Sequence, residues 1–472
     1  MRIMKKLIVI LSIFGFFSNF TFAQNDSSSA RQKFKRMGSG SLDSLKKQFK
    51  NRKDNPSFKK GTQGFEEAVK NPRDVKNVNL NNQKLTQLPI TIKNLQDLER
   101  LDLSKNELID LPAELASLEK LKFLKLSFNK FTKIPDVIFK IKSLEVLEIS
   151  DNKINILPKE LGNLTNLKRL ILDKNELKKI DVDFSKMEKL VEISLKDNGI
   201  TEFFESLTTA THISTLDLSN NKIKTVSNKI SSMAKLSSLE LNNNLINVIY
   251  DDFGKLPSLK NLNLSNNPLD TIKDGFANLT KLERLDLSNT NFKQLPKAIS
   301  KLQQLTSLKL SEVKLNKFPN EVLELKNLGE LYLDSNNISE IPETINNLAQ
   351  LRTLAIKNNN LTKFPVNLNK IEALRTLDLS GNKIVTIDPN IFTSKNLASF
   401  NLSRNSISVI PNEISKLEQL RMIYLESNKI EKLPPTIKDM KSLKVIMLKG
   451  NPISDTEKTN LKNSLKGVRM MF

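Results

Sequence analysis

From residue 75 onward the apolar and polar positions recur with one period. The stretch Leu98–Leu118 shows it most clearly: Leu98, Leu101, Leu103, Asn106, Leu108, Leu111, Pro112, Leu115 and Leu118 hold fixed places. The next period starts at Leu121, 23 residues on, and the same frame runs to Asn451. Leu101 and Leu103 alternate with Arg100, Asp102 and Ser104, the period-two pattern of a strand with one buried face. Leu111 and Pro112 begin a return path, and Leu115 and Leu118 follow at helical spacing to close the core. One strand per period, always in the same direction, predicts a parallel sheet. Such a stack grows by repetition, so 472 residues do not imply the usual three domains of about 150 each.

The chain must turn sharply after each strand, and buried backbone groups there need partners. Asparagine offers both a carbonyl and an amide. It recurs at Asn106, Asn129, Asn152, Asn175, Asn198, Asn221, Asn244, Asn267, Asn336, Asn359, Asn382, Asn405, Asn428 and Asn451, and we assign these as a structural ladder. With Gln83, Thr290 and Val313 at the equivalent positions, the frame counts seventeen repeats over residues 75–453 without insertion or deletion. Valine cannot bond through its side chain, so repeats 10 and 11 are expected to be the weak point, with either a bend or a regular turn there. The convex proline is absent from five successive repeats, at Asp181, Phe204, Ser227, Tyr250 and Lys273, and again at Asp388.

This pattern resembles the leucine-rich-repeat family, whose signature is L-x-x-L-x-L-x-x-N-x-L. The LPxxIxxLxxL form is similar to the plant Ras-group and animal Ras-binding leucine-rich-repeat subclass. The resemblance implies an α/β repeat solenoid with a curved parallel sheet on the concave face, helical or 3-10 turns on the convex face and helical caps. It also implies a protein-binding scaffold. The repeats that lack proline depart from the subclass.

The ends read differently. Arg2, Lys5 and Lys6 precede the apolar run Leu7–Phe17, and Thr21 and Ala23 are small. That is the form of a secretory signal peptide over residues 1–23, cut after Ala23; a transmembrane anchor is the alternative, but the run is short for the roughly 20 residues a span needs. Residues 24–63 hold eleven Lys or Arg against three Asp and have no repeat frame. A basic disordered tail is expected, either a solvated linker or, through Leu42, Leu45 and Phe49, a short amphipathic helix on an anionic envelope surface. Residues 64–74 read as an N-terminal helical cap whose short helix, residues 65–71, is ended by Pro72, which resembles the entry cap of secreted bacterial members of the family. Residues 454–472 read as a C-terminal cap, opened by the capping box Ser454-Asp455-Thr456-Glu457.

Composition narrows the chemistry. Cysteine is absent, which removes disulfides, thiol catalysis and cysteine-ligated zinc. His212 is the one histidine and has no nucleophile elbow around it. No phosphate-binding glycine loop occurs. The expectation is a non-enzyme with no cofactor and no metal. The net charge of +22 favours anionic partners without implying specific nucleic-acid binding. An exported monomer is expected, located in the periplasm, on the cell surface or outside the cell.

The outward strand positions are mostly small or polar, among them Asn79, Asp102, Ser194, Asp217, Asn263, Asp286, Asp378 and Asn401. Two clusters break the rule. Tyr332, Arg352, Arg375, Arg421, Met422, Tyr424 and Met447 lie on repeats 12–17, and Phe123, Lys125 and Phe128 on repeat 3. Aromatic residues, Met and Arg are the types enriched at binding hot spots. The first cluster is therefore the candidate site for a protein or peptide with acidic residues between apolar ones, with the second as an alternative patch. Asp334 and Asp378 are near enough in sequence order to neutralise the arginines. A polysaccharide or envelope-surface ligand is the other functional reading.

Overall fold

The structure, a computed structural model, describes residues 58–472. The expected signal peptide and the tail as far as residue 57 lie outside the described residues. Phe58–Lys60 is a short strand, and the first helix, α1 (Gly61–Lys70), begins three residues ahead of the expected cap. Phe65 and Ala68 are buried on α1, and the Asn71 amide donates to the Glu67 carbonyl before Pro72 ends the helix.

Each of the seventeen repeats contributes one three-residue strand to a single parallel sheet, from Asn77–Asn79 in repeat 1 to Val445–Met447 in repeat 17. The strands lie in register: Leu101 pairs with Leu124, Leu124 with Leu147, and Leu147 with Leu170. The middle residue of each strand is buried, while its neighbours are half-buried or exposed in most repeats. One apolar column therefore runs the length of the stack, from Val78 to Ile446. A 3-10 turn follows the strand in repeats 1–16. The sheet lines the concave face and these turns the convex face.

Two of the repeats without the convex proline differ from the rest for a backbone reason. Asp181 and Lys273 stand where proline stands elsewhere. Their amides donate to the Leu157 and Ile249 carbonyls at 2.8 and 2.9 Å, bonds that proline cannot make. There the convex side gains short strand pairs, Ile156–Leu157 with Lys179–Ile180 and Val248–Ile249 with Thr271–Ile272. Repeats 8 and 9 also approach so closely that a Cβ on Gly254 would sit 1.8 Å from the Gly275 carbonyl oxygen.

The stack ends under α2 (Asp455–Ser464). The Ser454 side chain accepts from the Glu457 amide, and Leu461 and Leu465 are buried against the last repeat. Arg469–Met471 then adds one more parallel strand beside Val445–Met447.

Candidate binding surface

The turn that carries every strand into its loop has a fixed construction. In each repeat the residue before the ladder position has a left-handed backbone, from Asn82 at φ 59° to Gly450 at φ 78°. The ladder side chain then bridges two repeats. Asn106 donates to the Leu103 carbonyl of its own turn and to the Leu80 carbonyl of the repeat before, at 2.8 and 2.9 Å. Its carbonyl accepts from the Leu85 amide of the repeat before at 3.0 Å. The same bridging recurs from Asn129 to Asn451 wherever asparagine is present; Asn198 and Asn382 make it too.

At Thr290 and Val313 the bridge is incomplete. Thr290, 1% exposed, donates only to the Leu287 carbonyl at 2.7 Å, and Val313 is fully buried without a polar group. The Leu269 and Phe292 amides receive no side-chain acceptor of the kind the ladder supplies elsewhere among the described residues. Strand register nevertheless passes through unchanged, Arg284 to Ser307 to Glu330.

The outward third residue of each strand sorts into two kinds. Asp102, Asp217, Asp286 and Asp378 each accept from the amide two residues on, at 2.8–3.0 Å, and Asn263 and Asn401 do the same at 3.1 Å. These residues tie down their own turns. Lys125, Glu148, Ile171, Ser194, Glu240, Lys309, Tyr332, Ala355, Tyr424 and Met447 occupy the same position without that bond; of these Lys125 pairs with Glu148, Ser194 with Asp173 and Lys309 with Asp286. In register along the C-terminal half run Tyr332, Ala355, Asp378, Asn401, Tyr424, Met447 and Met471.

Tyr424 donates its hydroxyl to Met422 Sδ at 3.4 Å, and burial, then the charges of Glu426 and Asp378, hold its phenol above the usual value. Met447 is the next residue in the row, and Met471, 43% exposed, follows it. Tyr332 is half-buried four strands away from Tyr424.

The arginines are placed differently from the sequence expectation. Arg352, Arg375 and Arg421 do not share the tyrosines' face. Each stands one residue before its strand, three residues from the tyrosine row, and is exposed at the sheet's entry edge. The alternation of strand side chains assigns them to the phase of the buried leucines, and only their position ahead of the strand turns them outward. The two acids considered as their partners are engaged elsewhere. Asp378 accepts from Ser380 and from Asn401, and Asp334 accepts from the Lys357 amide at 2.8 Å. Burial raises the Asp334 carboxyl above its usual range against that bond.

The repeat-3 patch also divides. Phe123 lies on its strand under the Arg100 guanidinium, 3.5 Å from its ring centre, and Lys125 pairs with Glu148 at 2.6 Å. Phe128 is in the turn, not on the strand. It holds the left-handed position at φ 58°, unusual for a bulky residue, is 48% exposed, and has Lys105 Nζ 5.7 Å from its ring.

Two features were missed in the sequence. Ser194, expected to be exposed, is buried and donates to the Asp173 carboxylate. Around it the middle of the face is acidic: Asp173, Asp217, Glu240 and Asp286. Burial, reinforced by like charges, pushes the Asp173 and Glu240 carboxyls upward. Lys444 was also overlooked; it follows Arg421 at the equivalent position of the next repeat, and its backbone amide donates to the Arg421 carbonyl at 2.8 Å. Reading that single position down the repeats would have found it. His212 lies 3.4 Å from the Thr211 hydroxyl and joins no cluster of reactive groups.

Family models described as leucine-rich repeat region match residues 66–283 and 273–394, and one described as leucine rich repeat matches 372–430. The chain belongs to the leucine-rich-repeat family. A leucine-rich-repeat protein of Leptospira interrogans is 33% identical, with a TM-score of 0.74, over 86% of this chain and 98% of its own. The plant peptide hormone receptor RGFR1, solved with RGF2, is 24% identical with a TM-score of 0.56, over 84% of this chain and 78% of its own. TLR13, solved with an ssRNA, is 21% identical with a TM-score of 0.67, over 85% of this chain and 62% of its own. The last two likenesses concern the fold alone. A comparison with curated protein sequences gives no significant match. Proteins of this family are generally binding modules, and the fold commonly serves protein or peptide recognition.

Proposed function

We propose that this protein is an exported, non-enzymatic recognition module that binds a protein or peptide on the C-terminal part of its concave face. The observation that carries the reading is the division of the third strand position. Where Asp and Asn tie down their turns the face is structural, and at Tyr424 and Met447 it carries side chains that no turn requires. Aromatic and Met anchors there, with Met422 beside Tyr424 and Arg352, Arg375 and Arg421 at the edge, suit a ligand with acidic residues between apolar ones. The protein acts as a monomer without a cofactor, and within the family it falls in the 23-residue LPxxIxxLxxL subclass. Export rests on the basic start and short apolar run of residues 1–23; among the described residues no helix is long and apolar enough to cross a membrane. The receptor RGFR1 and its hormone illustrate the same use of the fold, and TLR13 with its ssRNA a different one.

The test uses the natural partner, captured with the mature chain as bait. Tyr424→Ala with Arg375→Ala should weaken its binding at least tenfold, about 1.4 kcal/mol, without lowering Tm. Lys125→Ala with Phe128→Ala is the control. If only the control loses binding, the ligand sits at repeat 3.

The charge of residues 24–63 favours a second role, retention on an anionic envelope surface. Exposed charges are screened over about 8 Å at physiological ionic strength. Co-sedimentation with anionic vesicles should therefore fall steeply with salt and be lost when residues 24–63 are deleted; salt-insensitive binding would argue against it.

A further inference from the structure

The residue just before each strand forms a row of its own, because backbone bonds connect it from repeat to repeat. The Arg375 amide donates to the Arg352 carbonyl at 2.9 Å, Ala398 to Arg375 at 2.8 Å, Arg421 to Ala398 at 2.9 Å and Lys444 to Arg421 at 2.8 Å. The same row opens the molecule with alternating charge: Lys76, Glu99, Lys122, Glu145 and Lys168. There it satisfies itself. Glu99 lies 3.5 Å from Lys76 and 3.6 Å from Lys122, and Lys168 lies 2.8 Å from Glu145. Lys260 and Glu283 repeat the pairing at 2.7 Å. From repeat 13 onward the acids stop. Arg352, Arg375, Arg421 and Lys444 are all exposed, and none lies within ion-pair distance of an acid among the described residues.

Adjacent strands are about 4.8 Å apart, so this cationic row spans about 19 Å. The apolar row through Tyr424, Met447 and Met471 runs parallel to it, three residues and about 10 Å away along the strand. Between the rows, at the first strand position, stand the short side chains Thr353, Thr376 and Ser399, followed by Met422 and Val445. Four like charges held in line repel one another when nothing neutralises them. A ligand carboxylate at each would relieve that repulsion.

We propose that Arg352, Arg375, Arg421 and Lys444 form a cationic track that takes the carboxylates of an acidic protein segment, while its apolar side chains rest on the Tyr424–Met447–Met471 row. This rests on the site proposed above, extends it by Lys444 and Met471, and divides its task between a cationic track and an apolar row. A bare polyanion would use the track and leave the thioether row empty. A segment that alternates acidic and apolar residues uses both, because successive side chains of an extended chain point to opposite sides. Exposed charges act mainly on association, and the apolar row on dissociation.

The probes are synthetic octapeptides of alternating Glu and Leu, of alternating Lys and Leu, and of Glu alone, together with oligothymidylate. The Glu–Leu peptide should bind the mature chain with an affinity that falls as salt rises, and the Lys–Leu peptide should not bind. Replacing all four track residues by Gln should lower the association rate at low salt at least tenfold and flatten its salt dependence, with Tm unchanged. Lys76→Gln with Lys122→Gln and Lys168→Gln should stay within twofold of the parent. Tyr424→Ala with Met447→Ala should speed dissociation of the Glu–Leu peptide and leave binding of the all-Glu peptide as it was. No binding of the Glu–Leu peptide, or an unchanged association rate in the track variant, overturns the proposal. Oligothymidylate binding more tightly than the Glu–Leu peptide overturns it in favour of nucleic acid. Loss through Tyr424 and Met447 alone overturns the track and keeps the aromatic and Met anchors of the site proposed above; loss through the track alone overturns those anchors.

Discussion

Repeats 2–5 and repeats 13–17 share one backbone and differ in what their surfaces leave undone. Leu101 pairs with Leu124 as Leu354 pairs with Leu377, and the ladder asparagines bridge their repeats alike. At the sheet's entry edge the first region pairs its charges across neighbouring repeats, whereas the second presents only cations. A surface whose charges are already matched gains little from a partner, since the partner must displace those contacts first. An unmatched row has no such contacts to displace. The framework is thus common property, and the proposed recognition site lies where the pattern lapses.

The largest expected effect tests the common half of that statement. Asn152→Ala and Asn382→Ala each leave buried carbonyls and an amide without their partner, at a cost of about 1–3 kcal/mol. Denaturant unfolding should find the two losses similar. A loss at one position only would mean that the two regions differ in framework as well as in surface.

A smaller effect comes from the acidic middle. Burial, then the neighbouring charges of Asp217 and Asp286, raises the Glu240 carboxyl. The folded state therefore holds that proton more tightly than the unfolded chain, so stability is lost as pH rises through the raised value and the penalty is absent below the ordinary carboxylate range. Glu240→Gln should raise stability at neutral pH by less than about 1 kcal/mol and change nothing below about pH 4. A Tm gain that persists in acid would place its cause elsewhere.

The smallest effect belongs to the edge itself. Lys168→Gln breaks an exposed pair, and Arg375→Gln breaks none. Both should lie within about 0.5 kcal/mol of the parent in thermal unfolding. A clearly larger loss for Arg375→Gln would show that the C-terminal row serves stability rather than recognition.

Much was legible in the chain alone. The period of apolar positions, the strand phase and the recurring asparagine follow from local rules that each repeat restates, and each repeat's neighbours are its own copies. The sequence therefore determined the fold, the register and the aromatic and Met residues at the C-terminal end. Tertiary structure decided how neighbours divide the work. Whether Asp378 neutralises Arg375 or ties down Ser380 depends on side-chain reach across strands, which periodicity does not encode. The same holds for Ser194, buried because Asp173 of the preceding repeat lies beside it. Phe128 looks like a strand residue by spacing, and only the backbone conformation puts it in the turn. Arg352 and Lys444 share a row by their common place in the repeat, but that this row stands exposed one residue ahead of the strand, and not on the tyrosines' face, was decided by where each strand begins.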